Sequence, residues 1–297
     1  MSVLGCNLCA AKTEEDRVET AEINSDIRKF KTERFRVWRC PTCRSIHSRN
    51  EVDLNHYYAG YPFHHSDLDW RLRAVYRNML GRLRRAGFQK EHHLLDYGCG
   101  GGSLIAFLKE SGYSNAVGYD EFQDEFKDKS ALDRQYDFIV SQDVIEHVLE
   151  PWELLHTFDR LAKDGSSIAI GTPNAETIDL KRADYFVHAL HQPFHTHILS
   201  RTVLIESGEK LGWKLLRYYD KEFINTLIPF VNLRFAQHYV ECFDNTMDAA
   251  FDMRIDSWKL LSPMTLFYGF FGYFLSEASG GMAIFQKGGA PKQLTAG

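Results

Sequence analysis

The sequence predicts an α/β protein: a doubly wound, mostly parallel sheet that follows a small cysteine-bound metal module. Short apolar stretches alternate with amphipathic ones from about residue 91 onward, which is typical of strand–helix–strand units. A glycine-rich turn at 98–102 follows the first of these apolar stretches directly. Two Cys-x-x-Cys pairs stand near the N-terminus, the first at Cys6 and Cys9 and the second at Cys40 and Cys43.

Length and charge limit the class of protein. A chain of 297 residues can form one large domain and a smaller module. Its net charge of −5 argues against a general binder of polyanions. We find no signal-peptide pattern and no run of about 18 apolar residues, the length that a membrane span needs. We therefore expect a cytoplasmic protein without a transmembrane segment.

The four paired cysteines predict a structural zinc site. Cysteines in a chain without a secretion signal favour metal binding over disulfides. Two such pairs can supply four thiolates to one tetrahedral zinc, which leaves no open position for catalysis. An alternating, strand-like run at 35–39 leads into the second pair. We therefore predict a zinc ribbon over residues 1–55, with these metal ligands: Cys6, Cys9, Cys40 and Cys43.

Residues 56–90 are predicted to be a linker followed by a helix. The aromatic and histidine-rich run at 56–65 can form either a pocket wall or a packing surface between two modules. We expect Ser66 to begin the helix, with an acidic residue three positions later, and the helix to cover 70–85. Its basic side chains form either a solvated face or a contact with phosphate or RNA; they are Arg71, Arg73, Arg77, Arg82, Arg84 and Arg85.

The core at 91–222 is predicted from alternating strands and helices. A glycine follows the first and last of its helices, as is typical of helix C-termini, and a proline starts the middle one. Residues 163–165 are expected to form a turn that leads into the strand at 167–171. We predict strands at 92–97, 115–120, 136–141, 167–171, 213–219 and 281–286, and helices at 103–111, 151–162 and 201–211.

Several segments of this core together resemble class I S-adenosylmethionine-dependent methyltransferases. Residues 95–102, Leu-Asp-Tyr-Gly-Cys-Gly-Gly-Gly, resemble the first motif of that family, and Asp120 resembles its ribose-binding acid. Residues 136–140 with 143–148 resemble its fourth motif. The resemblance covers about residues 90–220 and the last strand. It implies a Rossmann-like fold with a sheet of the seven-strand type, and S-adenosyl-L-methionine as cofactor.

The resemblance also implies which residues contact the cofactor. The glycine loop would lie beneath the methionine end and the ribose, while the residues after Asp120 would lie near the adenine. One departure concerns the segment from Asp120 to Asp137, which is too short and too charged for a full helix and the third strand. The implied cofactor-binding residues are Asp96, Tyr97, Gly98, Cys99, Gly100, Gly102, Asp120, Glu121, Phe122, Ser141 and Gln142.

Two groups of residues are candidates for acting on the methyl acceptor. Asp143, Glu146 and His147 share one face if their segment is helical, so they could hold a divalent ion, or His147 could be a base. His195 and His197 follow the fifth strand, where an imidazole could take a proton from a hydroxyl or simply tie the loop to the sheet. Our candidate catalytic residues are His147, His195, His197 and Asp143.

An insertion at 223–279 is rich in aromatic residues. It suggests either a lid over an acceptor with an apolar part or a homodimer interface, and contact with a membrane surface is compatible with it. Residues 280–297 are expected to form the last strand and a frayed tail. The protein would be a monomer or a homodimer.

These features predict an enzyme that methylates a small molecule, or a sugar, lipid or secondary-metabolite precursor, at a hydroxyl group with a histidine as base. The first alternative is an rRNA or tRNA methyltransferase that uses the ribbon and the arginine-rich helix. The acidic net charge and the aromatic insertion argue against nucleic acid. The second alternative is an inactive binding subunit with the same fold.

Overall fold

The computed structural model describes residues 2–50, 52–61, 68–252, 262–275 and 280–288. It contains a small N-terminal β module, a six-stranded core sheet with helices, and a helical insertion before the last strand. The strands are β1 Val3–Gly5, β2 Lys12–Glu14, β3 Glu19–Asn24, β4 Arg34–Arg39, β5 Ile46–Ser48, β6 Leu94–Tyr97, β7 Ala116–Tyr119, β8 Tyr136–Gln142, β9 Ala162–Pro173, β10 His197–Ile198, β11 Trp213–Tyr219 and β12 Gly280–Lys287.

Helices cover the core sheet and form the insertion. The longest begins at Trp70, as predicted, and Asp69 is its N-cap, because the carboxylate accepts hydrogen bonds from the Arg71 and Leu72 amides. The predicted cap, Ser66, lies outside the described residues. The helices are α1 Leu54–Tyr58, α2 Trp70–Arg85, α3 Ser103–Glu110, α4 Pro151–Leu161, α5 Val187–Leu190, α6 Arg201–Lys210, α7 Leu233–Glu241, α8 Met247–Asp252 and α9 Pro263–Leu275.

The core sheet has the order β11-β12-β9-β8-β6-β7. The pairs β6/β7, β6/β8 and β8/β9 are parallel, whereas β12 is antiparallel to both of its neighbours. The central strand β8 carries the buried residues Phe138, Ile139 and Val140, as expected for a strand covered on both faces. The α/β class and the mostly parallel sheet are therefore confirmed.

One local feature of this sheet agrees with the prediction of a shortened third-strand region, and another does not agree with the predicted turns. Only two 3-10 turns, Asp124–Phe126 and Lys129–Leu132, fill the fully described segment between β7 and β8, so the third strand of the seven-strand pattern is missing. The predicted turn at 163–165 is wrong, because β9 begins directly after α4. A bulge absorbs the extra residues: Tyr136 is paired with Ala162, and Phe138 with Ser167.

The N-terminal module is joined to the core by a shared sheet. Strands β3, β4 and β5 are antiparallel, and β10 from the core pairs with β5 to complete four strands. The buried Arg39 guanidinium donates to the carbonyl oxygens of Ala175 (2.7 Å) and Ile178. The predicted domain boundaries remain predictions, and this sheet crosses the first of them.

The arginines of α2 do not form a free basic stripe. Arg82 is buried and donates to the carbonyl oxygens of Lys221 and Glu222, at 2.8 and 2.9 Å. Arg73 is paired with Glu110 on α3. The expectation of a wholly solvated arginine face is therefore wrong for Arg82, which ties α2 to the segment after β11.

The insertion packs α9 on α7 and leaves several of its aromatic side chains exposed. Gly269 and Gly272 are the contact points, since a Cβ atom there would collide with Phe230 and Asn232. The outward residues on α9 include Phe270 and Phe274, whose side chains are 55% and 69% exposed. Among the helices that the structure describes, none is long and apolar enough to cross a membrane.

Candidate active site

The turn after β6 has the geometry that its glycines predict. Gly98, Gly100 and Gly102 have φ angles of 78°, 52° and 73°, which side chains other than glycine rarely adopt. A Cβ atom on Gly98 would collide with Val144, and one on Gly102 with the Phe126 ring. At Gly100, by contrast, no atom lies within 4 Å of such a Cβ. The loop therefore leaves open space beside Gly100, at the start of α3.

Asp120 holds this loop in place at the end of β7. Its carboxylate accepts hydrogen bonds from the amides of Gly100 (2.9 Å), Phe122 (2.9 Å) and Gln123 (3.2 Å). Phe122 is exposed and stacks on Tyr58, with ring centroids 5.0 Å apart and planes at 18°. The short segment after Asp120 therefore folds back towards the glycine loop and towards the linker.

Asp96, in the neighbouring strand β6, is buried. Burial, and secondarily the charge of Asp120, raises the pKa of its carboxyl to about 7. It therefore exchanges a proton near neutral pH in the absence of a cationic partner. A carboxyl of this kind is prepared to bind a cationic group, which would restore its charged form.

The other residues implied as cofactor contacts differ in whether their side chains are free to bind a ligand. The Oγ of Ser141 and the Oε1 of Gln142 are buried and have no hydrogen-bond partner among the described residues. Tyr97 instead packs its ring against Tyr119 and Phe158 in the core, so only its backbone is free to line a pocket. The Cys99 thiol is partly buried, and burial raises its pKa. Glu121 is exposed beside Asp120.

The turn after β8 carries the predicted acids. Asp143 has a φ of 54°, and protein surrounds its carboxyl although solvent still reaches it. The resulting loss of hydration raises its pKa to about 6. Glu146 is fully buried and lies 3.0 Å from the Thr172 hydroxyl. Burial, with a contribution from Asp143, raises the pKa of Glu146 well above its usual value.

Three histidines lie beside these acids. The ring centroids of His147 and His195 are 4.7 Å apart, those of His191 and His195 5.0 Å, and those of His147 and His191 6.1 Å. Burial lowers the pKa of His147 to about 3 and that of His195 well below its usual value. Two of the three imidazoles are therefore neutral at pH 7.

The structure does not gather the predicted acidic metal triad. Glu146 and His147 lie with His195 rather than with Asp143, and their ligand atoms are within 4.8 Å of one another. Each of them already has a hydrogen-bond partner: Thr172 for Glu146, Tyr58 for His147 (3.1 Å), and the carbonyl oxygen of Ala189 for His195 (2.9 Å). We interpret the group as a hydrogen-bonded pocket.

His197 does not join this group. It lies in β10, opposite His47 of β5, and is buried in the sheet shared with the N-terminal module. Its Nδ1 is 3.1 Å from the Thr196 hydroxyl, and burial lowers its pKa to about 3. Strand pairing places His197 beside the N-terminal module, and its catalytic role remains a prediction.

Sequence reasoning missed one residue of the site entirely. Asp26, in the loop after β3, is fully buried and contacts the Nδ1 atoms of both His191 (2.7 Å) and His188 (3.1 Å). Burial alone would raise the pKa of Asp26, but the two histidines outweigh it and lower the pKa. Nothing in the local sequence around residue 26 indicates this role. The sequence likewise gave no reason to distinguish His191 from the other histidines between 188 and 197.

The four predicted cysteine ligands form a cluster. The Sγ atoms of Cys6 and Cys43 are 3.6 Å apart, those of Cys9 and Cys40 3.7 Å, and all four lie within 4.8 Å of one another. Zinc–sulfur bonds of 2.3 Å in a tetrahedron imply sulfur–sulfur distances of about 3.8 Å. The four thiols therefore fit a tetrahedral zinc ion.

Comparison with known proteins defines the class. Residues 70–218 match a family model described as a methyltransferase domain, and the chain belongs to this family. It is an S-adenosylmethionine-dependent methyltransferase.

Individual relatives are distant. Over 176 residues, the chain is 25% identical to a ubiquinone biosynthesis O-methyltransferase of Klebsiella pneumoniae, covering 50% of this chain and 71% of that protein. A SAM-dependent methyltransferase from Archaeoglobus fulgidus is similar over 74% of this chain and all of its own, with 19% identity and a TM-score of 0.41. Coclaurine N-methyltransferase bound to N-methylheliamine and SAH is similar over 76% of each chain, with 15% identity and a TM-score of 0.42.

Proposed function

We propose that the protein methylates a hydroxyl group of a small molecule, or of a sugar, lipid or secondary-metabolite precursor, with a histidine as base. The observation that carries the proposal is the group formed by His147, His191 and His195 beyond the carboxyl end of β8. Neutral imidazoles in a buried pocket can accept a hydroxyl proton. The relative from Klebsiella pneumoniae, named as an O-methyltransferase, supports the choice of oxygen.

The proposed cofactor contacts lie around the open space at Gly100. S-adenosylmethionine, when bound, supplies an electrophilic methyl group on a sulfonium. Asp120 would accept hydrogen bonds from the ribose hydroxyls, and Asp96 would orient the loop or its ligand. Ser141 and Gln142 have polar atoms left without partners, which suits the methionine end. Phe122, stacked on Tyr58, would lie near the adenine.

We propose that the acceptor occupies the space between Asp143 and the histidines. Asp143 meets solvent in the turn after β8, so it can face a ligand that enters from outside. Tyr58 contacts His147 on one side and Phe122 on the other, and so connects the acceptor side to the adenosine side. These contacts would orient an acceptor while the surrounding protein excludes water.

We further propose that the cysteine cluster holds a structural zinc ion and that the insertion covers the acceptor. Residues of the insertion already reach the N-terminal module, since the Met247 amide donates to the carbonyl oxygen of Asp26 (2.8 Å). Asp244 is paired with Arg28 at 2.6 Å. These contacts favour a lid over a dimer interface. A small-molecule acceptor is favoured over nucleic acid because Arg82, in the arginine-rich helix, is buried and bonded to the core.

The test uses S-adenosylmethionine labelled with tritium in its methyl group. We would incubate the protein with a catechol, a hexose, a long-chain alcohol and a primary amine, and identify labelled products by mass spectrometry. Methylated hydroxyls are the expected result, with activity lost when His147, His191 and His195 are all replaced by glutamine and retained in the exposed control His156→Gln. Label that appears only on nitrogen or carbon would overturn the proposal.

A further inference from the structure

A buried carboxylate from the N-terminal module touches a histidine of the pocket. Asp26 has no exposed surface, and both of its carboxylate oxygens lie within 2.8 Å of Nδ1 of His191. On the opposite side of that ring, Nε2 is buried and has no hydrogen-bond partner among the described residues. Nδ1 of His191 is thus hydrogen-bonded to Asp26, whereas Nε2 lies inside the group of histidines without a hydrogen-bond partner among the described residues.

The chemistry of the pair fixes the form of the imidazole. An ionised carboxylate only accepts hydrogen bonds, so Nδ1 of His191 must carry the hydrogen. His188 helps to keep Asp26 ionised: its Nδ1 is 3.1 Å from Asp26, and although burial acts against it, this contact raises the pKa of His188. With the hydrogen of Nδ1 bound by Asp26, a lone pair on Nε2 is the acceptor that the neutral form of His191 would present to a ligand.

We propose that His191 is the catalytic base and that Asp26 is its positioning residue, supplied by the cysteine-bound module. The inference rests on the proposed function, because it requires an acceptor with a proton to lose. As the acceptor oxygen bonds to the methyl carbon, the carbon–sulfur bond breaks and its electron pair stays on sulfur. The hydroxyl proton passes to Nε2 of His191, and Asp26 stabilises the resulting imidazolium.

The neighbours of His191 agree with this assignment. Tyr61 and Phe194 pack against its ring, at centroid distances of 5.6 and 5.0 Å, and hold its orientation. His147 and His195 lack a carboxylate on Nδ1, which in them contacts Tyr58 and a carbonyl oxygen instead. Asp143, in the turn after β8, has a favourable charge interaction with His191. Among the three pocket histidines, only His191 has a charged partner on Nδ1 and a free Nε2.

The decisive measurement does not need the acceptor. Nitrogen-15 NMR of histidine-labelled protein distinguishes the two neutral tautomers, and His191→Gln assigns the signal. We expect the neutral form of His191 to be the Nδ1–H tautomer and to lose that preference in Asp26→Asn. An Nε2–H tautomer in the wild type would overturn the dyad. Calorimetric binding of S-adenosylhomocysteine, measured on the same samples, tests the cofactor site separately.

A matched control separates catalysis from packing, because Asp26 has a second histidine partner. With catechol as the probe acceptor, His191→Gln should lower kcat at least about 100-fold, as expected for loss of a general base. His188→Gln removes a supporting contact to the same carboxylate but keeps the base, so it should lower kcat clearly less than His191→Gln does. Equal losses in both variants, accompanied by equal drops in unfolding temperature, would show that Asp26 only pins the fold and would overturn the proposal.

Discussion

The cofactor half and the acceptor half of the candidate site are built in opposite ways. The cofactor half comes from consecutive residues at the ends of β6 and β7, joined by backbone hydrogen bonds to Asp120. The acceptor half is assembled from distant parts of the chain, including Asp26, Tyr58, Glu146 and His191. A contiguous loop can keep its shape alone, whereas the acceptor half requires the N-terminal module and the insertion to be docked.

The largest expected effect comes from Cys40→Ser, which should damage the acceptor half alone. Structural zinc supplies folding free energy directly, so the module that carries Asp26 should lose its order without it. We expect methyl transfer to vanish, while the dissociation constant of S-adenosylhomocysteine changes less than about fivefold, or roughly 1 kcal/mol. Metal analysis, calorimetry and thermal unfolding check this.

Cys242→Ser is the matched control for that experiment, because Cys242 lies in the insertion outside the four-cysteine cluster. It should retain both zinc and activity. Should Cys40→Ser keep its zinc content and its unfolding temperature, the cluster would not be a metal site. The contrast between the two halves would then lose its basis.

Asp120→Ala should damage the cofactor half instead. It removes hydrogen bonds to a charged group that are worth about 1.5–3 kcal/mol each, so the affinity for S-adenosylhomocysteine should fall roughly 10- to 100-fold. Asp124→Ala is the control, since this acid in the same segment is exposed and is paired with Lys127 on the surface. Equal affinities of the two variants, measured by calorimetry, would argue against ribose binding by Asp120.

One residue of each half, Asp96 and His147, should respond oppositely to pH. The pKa of Asp96 is raised to about 7, so folding favours its protonated form, and its burial destabilises the protein increasingly as pH rises from about 4 to 7. The pKa of His147 is lowered to about 3, so its burial destabilises the protein increasingly as pH falls below about 6.5. Each dependence should approach about 1.4 kcal/mol per pH unit.

Denaturant unfolding of Asp96→Asn and His147→Gln at several pH values, each compared with the wild type, checks both signs. The difference in unfolding free energy between Asp96→Asn and the wild type should grow as the pH rises. The difference between His147→Gln and the wild type should grow as the pH falls. His156→Gln, an exposed substitution, should follow the wild type throughout. Slopes of the same sign in the first two variants would contradict the opposite pKa shifts of Asp96 and His147.

The smallest expected effect concerns Gly100→Ala. A side chain at positive φ costs about 1–2 kcal/mol, and the new methyl group would occupy the open space beside the loop. Gly165→Ala is the control, because its φ of 79° is also positive and its surroundings are equally open, but it lies in the β9 bulge. Both should lose similar stability, whereas only Gly100→Ala should bind S-adenosylhomocysteine more weakly.

The sequence was informative where a function is encoded locally. The glycine turn, the cysteine pairs and the shortened segment after Asp120 could all be predicted, because each depends on neighbouring residues and their spacing. The environment of Asp26 could not, since its partner His191 is far away in the sequence, and tertiary contacts such as the pairing of β10 with β5 bring the two segments together. The position of His197 depends in the same way on strand pairing, which a local sequence pattern does not reveal.

The two-residue strand β10 has a consequence for acceptor recognition. It anchors the end of the long segment 174–196, which carries His191 and His195, by pairing with β5 of the N-terminal module. Holding both ends of such a segment lowers the conformational entropy that remains to be lost when a ligand arrives. The N-terminal module would thus preorganise the pocket during folding, so that His191 and His195 are already in position when an acceptor binds.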